Sequence, residues 1–158
     1  MSPVLSYRAN VAALVLVGDE GLLACERSSG GIWQTVQGGI ESEDENLEAG
    51  ILRELREELG IESQAVTLIS RSKSWRRYRF PEEVILQRAS ANRPHEHAGQ
   101  EQMWFLARIG SLADVRLDLA DGEFRSVKIV SAAKLAAAFV PWKRPVVLDF
   151  CQEVGLLP

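Results

Sequence analysis

The stretch from Gly39 to Ile61 reads GIESEDENLEAGILRELREELGI. Its second half has the spacing of a helix. Ile51, Leu52, Leu55 and Leu59 recur at three and four positions and form an apolar stripe. Glu54, Glu57 and Glu58 fall beside that stripe, within an arc of roughly 100° at 3.6 residues per turn. Ser42 and Glu45 have capping-box spacing and predict the helix start, and Gly60 predicts its end. Gly50 lies one turn before the carboxylates on their arc. It is expected to leave open space there, and it weakens the helix by about 1 kcal/mol against Ala.

Carboxylates crowded along one helical edge repel one another and raise each other's pKa unless a positive charge sits among them. Hard divalent cations such as Mg²⁺ or Mn²⁺ take oxygen ligands in this arrangement. The plainer alternative is a solvated acidic face relieved by Arg53 and Arg56. The charge pattern around the helix is segregated. Acidic residues run from Glu41 to Glu58, and Arg71, Lys73, Arg76, Arg77 and Arg79 follow. Such a sequence suits a site that holds cations and then an anion, or two solvated faces.

Outward from the helix, Asn10–Val17 reads as a buried strand and Leu22–Glu26 as its return across the turn Gly18-Asp19-Glu20-Gly21. Trp33–Val36 reads as a short strand, as do Ala65–Ser70, Ser74–Phe80, Gln102–Ile109 and Phe124–Val130. Ala89–Gly99 is polar and reads as an irregular loop. Ser131 is placed to cap a helix of Ala and Leu, and Pro145 to open a last helix reaching about Val154. Strands and helices do not alternate regularly, so the fold class is α+β, a mixed sheet between helices.

The totals agree. A chain of 158 residues with 46% apolar and 25% charged residues suits one soluble globular domain over 1–158. Val11–Val17, its longest apolar run, is too short to cross a bilayer. No signal peptide is recognisable, and two cysteines without paired spacing predict a reducing cytoplasm. A net charge of −4 argues mildly against a non-specific nucleic-acid binder. No DNA or membrane partner is expected, and the oligomeric state is left open.

Gly39, Glu45, Arg53, Glu54, Leu55, Glu57, Glu58, Gly60 and Ile61 occupy every fixed position of the Nudix box, so the chain resembles the Nudix hydrolase family. The resemblance implies an α/β/α sandwich and a metal-dependent hydrolase, using Mg²⁺ or Mn²⁺, that splits a nucleoside diphosphate linked to another group. It implies Glu54, Glu57 and Glu58 as metal ligands, with Gly39 counted at the same site. It implies Arg53 with Glu45 as a pair that fixes the helix to its loop.

Further segments resemble one subgroup, the bacterial RNA pyrophosphohydrolases and asymmetric dinucleoside tetraphosphate hydrolases. They are Tyr7–Val11, Trp33-Gln34, Gln37–Ile40, Arg77-Tyr78, Phe80-Pro81 and Gly99–Phe105. Glu123-Phe124 resembles a late pair in which Glu123 is a metal ligand or general base. Arg8, Arg27, Gly38, Gly39, Arg77, Tyr78, Gln102, Trp142 and Lys143 are the implied substrate-binding residues, with Trp142 able to stack on a base. The loop from Ile40 to Asp44 departs from the subgroup: it lacks a Pro-Gly and is one residue longer than in the RNA enzymes. The expected activity is pyrophosphohydrolysis of 5′-triphosphorylated RNA or of dinucleoside tetraphosphates. Hydrolysis of free nucleotides or nucleotide sugars is the alternative within the enzyme class. A non-catalytic nucleotide-sensing module is the alternative outside it.

Overall fold

The computed structural model describes residues 6–90 and 97–158. Its centre is a pair of long parallel strands, β1 (Ser6–Val17) and β7 (His97–Ile109), in register from Tyr7↔Gly99 to Val17↔Ile109. Each has one long edge left over, and shorter strands share it. β4 (Val36–Gly39) runs antiparallel to the first half of β1, and β2 (Gly21–Arg27) to its end. β3 (Trp33–Gln34) and β8 (Phe124–Val130) both pair with β2. β5 (Thr67–Arg71) and β6 (Arg76–Arg79) take successive parts of the far edge of β7. The sheet is mixed, as the sequence predicts.

Residues 11 to 15 of β1 are all fully buried, because both faces of the sheet are covered. Val11, Ala13 and Val15 point to one core with Ile51, Leu55 and Leu59 of α1 (Leu47–Leu59). Ala12 and Leu14 point to the other. There they meet Leu135 of α3 (Ala132–Ala138) and Val147 and Phe150 of α4 (Arg144–Glu153). This is the expected α/β/α arrangement. No helix among the described residues is long and apolar enough to cross a membrane.

Several local expectations are corrected. Helix α1 begins at Leu47, and its cap is Asn46, whose Oδ1 accepts from the Ala49 N–H at 2.8 Å. Ser42 and Glu45 make no capping box, because residues 41–45 form a loop tied by the Asp44 carboxylate. The space beside Gly50 is not open: a Cβ there would lie 3.1 Å from Asp44 Oδ2. Ala65 closes a short 3₁₀ turn, Ser63–Ala65, so β5 starts at Thr67. Thr35 breaks the expected strand at 33–36 into β3 and β4. The stretch read as a loop at 89–99 instead ends an unforeseen helix, α2 (Glu82–Ser90), and begins β7 at His97; residues 91–96 lie outside the described ones. Gly60 does end α1, at φ 64°, where a Cβ would fall 2.0 Å from the Arg116 carbonyl oxygen.

Candidate active site

Helix α1 presents its acidic edge to the end of β4. Glu54 and Glu58 are buried, at 7% and 8% exposure, whereas the Glu57 side chain is 42% exposed. Gly38 makes the approach possible, since a Cβ there would sit 2.0 Å from Glu54 Cδ. Burial pushes the Glu58 carboxyl up to about 9, helped by the charges of Glu54, Glu123 and Asp121. Burial also raises Glu54, although Arg53 opposes it. One oxygen of Glu58, Oε2, is buried with no hydrogen-bond partner.

Arg53 organises the approach. Its Nη1 donates to Glu54 (2.7 Å) and Glu57 (3.2 Å), and Nη2 donates to the Gly39 carbonyl (2.8 Å). Its Nε and Nη2 hold both oxygens of Asp44, at 2.9 and 3.0 Å. Asp44 is therefore the loop partner of Arg53, not Glu45, which is exposed. The bidentate contact holds the Asp44 carboxyl below its usual range.

Residues 121–123 approach from the opposite side. The Asp121 N–H donates to the Glu57 carbonyl at 2.8 Å, tying this loop to the end of α1. Glu123 lies 3.3 Å from Arg27, so two separately expected site residues form one half-exposed ion pair. Asp44 and Asp121 were not anticipated. The closeness of Asp121 to Glu58 depends on a contact across the fold.

The expected binding residues divide between locations. Arg8 covers Gly39 closely, so that a Cβ on Gly39 would fall 2.3 Å from Arg8 Nη2. Gln102 is buried in the sheet, where it donates to Gln37 (2.8 Å) and accepts from Trp104 Nε1 (3.1 Å). Tyr78 is also buried; its hydroxyl donates to Gln100, and Lys143 Nζ lies 5.3 Å from its ring. Arg77 is exposed and sits over Tyr7, 4.8 Å from the ring. Arg27, Trp142 and Lys143 meet around a cavity of about 200 Å³, whose other walls include Gln34, Phe80 and Val140. Trp142 Nε1 is buried there without a hydrogen-bond partner, and Gln34, 6% exposed, lines the same cavity. An unpaired buried donor is costly, and polar groups converging on a cavity mark a ligand pocket.

Among the described residues, no three His, Cys, Asp or Glu side chains already stand close enough to chelate an ion. The donor set nevertheless fits one. Glu58 has a buried unpartnered oxygen beside a second buried carboxylate, and a divalent cation would relieve both the repulsion and the missing contact.

The model of the NUDIX domain family matches residues 6–150, and the chain belongs to the Nudix family of hydrolases. The chain is 38% identical over 144 residues to an RNA pyrophosphohydrolase of Zymomonas mobilis subsp. mobilis, covering 89% of this chain and 90% of that one. Among solved structures, it resembles the E. coli dihydroneopterin triphosphate pyrophosphohydrolase with a TM-score of 0.67 and 18% identity, over 94% of this chain and 97% of that one. It also resembles a C. elegans Ap4A hydrolase binary complex with a TM-score of 0.64 and 13% identity, over 95% and 99% of the two chains. At such identities the structural likenesses speak for the fold alone.

Proposed function

We propose that residues 1–158 work as a single Nudix domain that hydrolyses the phosphate chain at the 5′ end of triphosphorylated RNA. The buried pair Glu54–Glu58, with its unpartnered oxygen, carries the chemical part of this reading. The name of the Zymomonas relative supports the substrate class. The cavity between Arg27, Gln34 and Trp142 has the aromatic wall and polar groups that hold a nucleobase.

In this reading Glu54, Glu57 and Glu58 would hold Mg²⁺ or Mn²⁺, with Glu123 and the Gly39 carbonyl as further candidate ligands. When bound, the ions neutralise phosphate charge and lower the pKa of an attacking water. Arg53 keeps the helix edge fixed against the Gly39 and Asp44 loop. Arg8 and Lys143 supply cationic contacts to the phosphates, and Gly38 and Gly39 let Glu54 and Arg8 lie close against the backbone of β4 beside the bound substrate. Arg77, Tyr78 and Gln102 shape the binding surface. Glu123, released from Arg27 when phosphate takes that guanidinium, accepts the proton of water. We place the protein in the cytoplasm, where Cys25 and Cys151, both buried, stay reduced.

The test is release of phosphate or pyrophosphate from triphosphorylated RNA in Mg²⁺ or Mn²⁺, beside a dinucleoside tetraphosphate and a panel of nucleotide sugars. Turnover on RNA that collapses in Glu57→Gln is expected. Unchanged turnover in that variant would remove the site assignment. Preference for nucleotide sugars would remove the substrate. Tight nucleotide binding with no turnover would make the domain a sensor.

A further inference from the structure

Beyond the Trp142 cavity lies a second cavity, of about 390 Å³, between the start of β6 and the N-terminus of α4. Ser74, Trp75, Arg76 and Arg77 line one side, and Pro145, Val146 and Asp149 the other. Trp75 is a large aromatic residue left 38% exposed. Arg76 gives Nη2 to Glu153 at 2.7 Å, but its Nε and Nη1 are buried without a hydrogen bond. Asp149 stands 3.7 Å from that Nε and partly offsets the charge.

The two cavities lie along the same strand and the same stretch before α4. Arg76, Tyr78 and Phe80 alternate onto one face, and four residues of strand separate the cavities by roughly 13 Å. Phe80 lines the first cavity and Arg76 the second, with Tyr78 and Lys143 between them. The segment Pro141–Val146 borders both.

Resting on the RNA reading above, we infer that the Trp75–Arg76 cavity is a second nucleotide subsite, which takes the RNA chain downstream of the base held at Trp142. A base stacks on Trp75, and the adjoining phosphate is met by Arg77, whose side chain is exposed and lines the same cavity. Sequence-tolerant stacking beside cationic groups is how single strands are held without base readout. A dinucleoside tetraphosphate has no downstream chain to fill this subsite, so it favours RNA over that substrate.

The experiment measures binding of a 3′-fluorescein, 5′-hydroxyl RNA octamer by anisotropy, beside hydrolysis of a 5′-triphosphorylated dinucleotide. Trp75→Ala is expected to weaken octamer binding roughly tenfold, within the range of one base stacked on an aromatic ring. Trp75→Phe restores it, and the kinetics on the dinucleotide stay at the wild-type value. Octamer affinity that is unchanged in Trp75→Ala, or undetectable in the wild type, overturns the subsite. An equal loss on the dinucleotide also overturns it, because the effect would then be general. If the dinucleotide is not hydrolysed while octamer binding still depends on Trp75, the catalytic reading fails and the subsite stands.

Discussion

The two faces of the sheet are built in different ways. On the α1 face, the acidic edge comes from one helix, with Glu54 and Glu58 a single turn apart and Arg53 next in the chain. On the α3 and α4 face, the Trp142 cavity draws Arg27 from β2, Gln34 from β3, Phe80 from beyond β6, and Trp142 and Lys143 from the turn before α4. The first region depends on helical periodicity and the second on the whole topology. The carboxylates of α1 are therefore set by local spacing, whereas the residues around the Trp142 cavity are brought together only by the fold.

The largest expected effect falls on the helical side. Glu58→Gln should lower kcat by roughly a thousandfold or more, because a metal's charge stabilisation is worth several kcal/mol. Steady-state kinetics with saturating Mn²⁺ measures it, and near-normal turnover would mean that the buried pair is only structural.

Gly38→Ala tests how closely β4 must approach that helix. Its Cβ would lie 2.0 Å from Glu54 Cδ, so the carboxylate must move. We expect about a hundredfold loss of activity, the scale of an ångström-sized misplacement, with a circular-dichroism spectrum like the wild type. Wild-type activity in Gly38→Ala would show that Glu54 need not hold this position.

Trp142→Ala probes the opposite face. It should raise KM for RNA roughly tenfold, the scale of one lost stacking partner, and change kcat little. An equal fall in kcat would join the two regions that the comparison separates.

The smallest effect is on stability in the absence of divalent ions. The folded Glu58 carboxyl is pushed up to about 9, and an unfolded glutamate titrates near ~4.3. The proton is therefore held more tightly in the folded state. The associated stability is present below the unfolded pKa and is lost as pH rises through the folded one. Melting temperature should fall by a few degrees between about pH 5 and 9. Mn²⁺ should reduce the fall, and Glu58→Gln should flatten it. An unchanged slope in that variant would place the buried charge elsewhere.

Legibility followed the same division. The α1 stripe and the Gly60 stop were readable because helical spacing repeats within a few residues. The helix start was misread because Ser42 with Glu45 and Asn46 by itself are both acceptable caps. Only the pull of Arg53 on Asp44 decides between them. Helix α2 went unread because the sequence between Pro81 and the polar stretch from Ala89 holds only one short apolar run, Val84-Ile85-Leu86, too brief to show a helical period. The ion pair of Arg27 with Glu123 joins residues nearly a hundred positions apart, and no local pattern reports such a contact.

By itself the sequence determined the family, the mixed α+β class and the glutamates set along one helical edge, because these depend on periodicity and fixed spacing. Tertiary structure decided which carboxylates are buried, that Asp44 holds Arg53, and that Gln34 and Trp142 share a cavity. Burial and charge pairing depend on which surfaces the sheet brings together, and that is a property of the assembled chain.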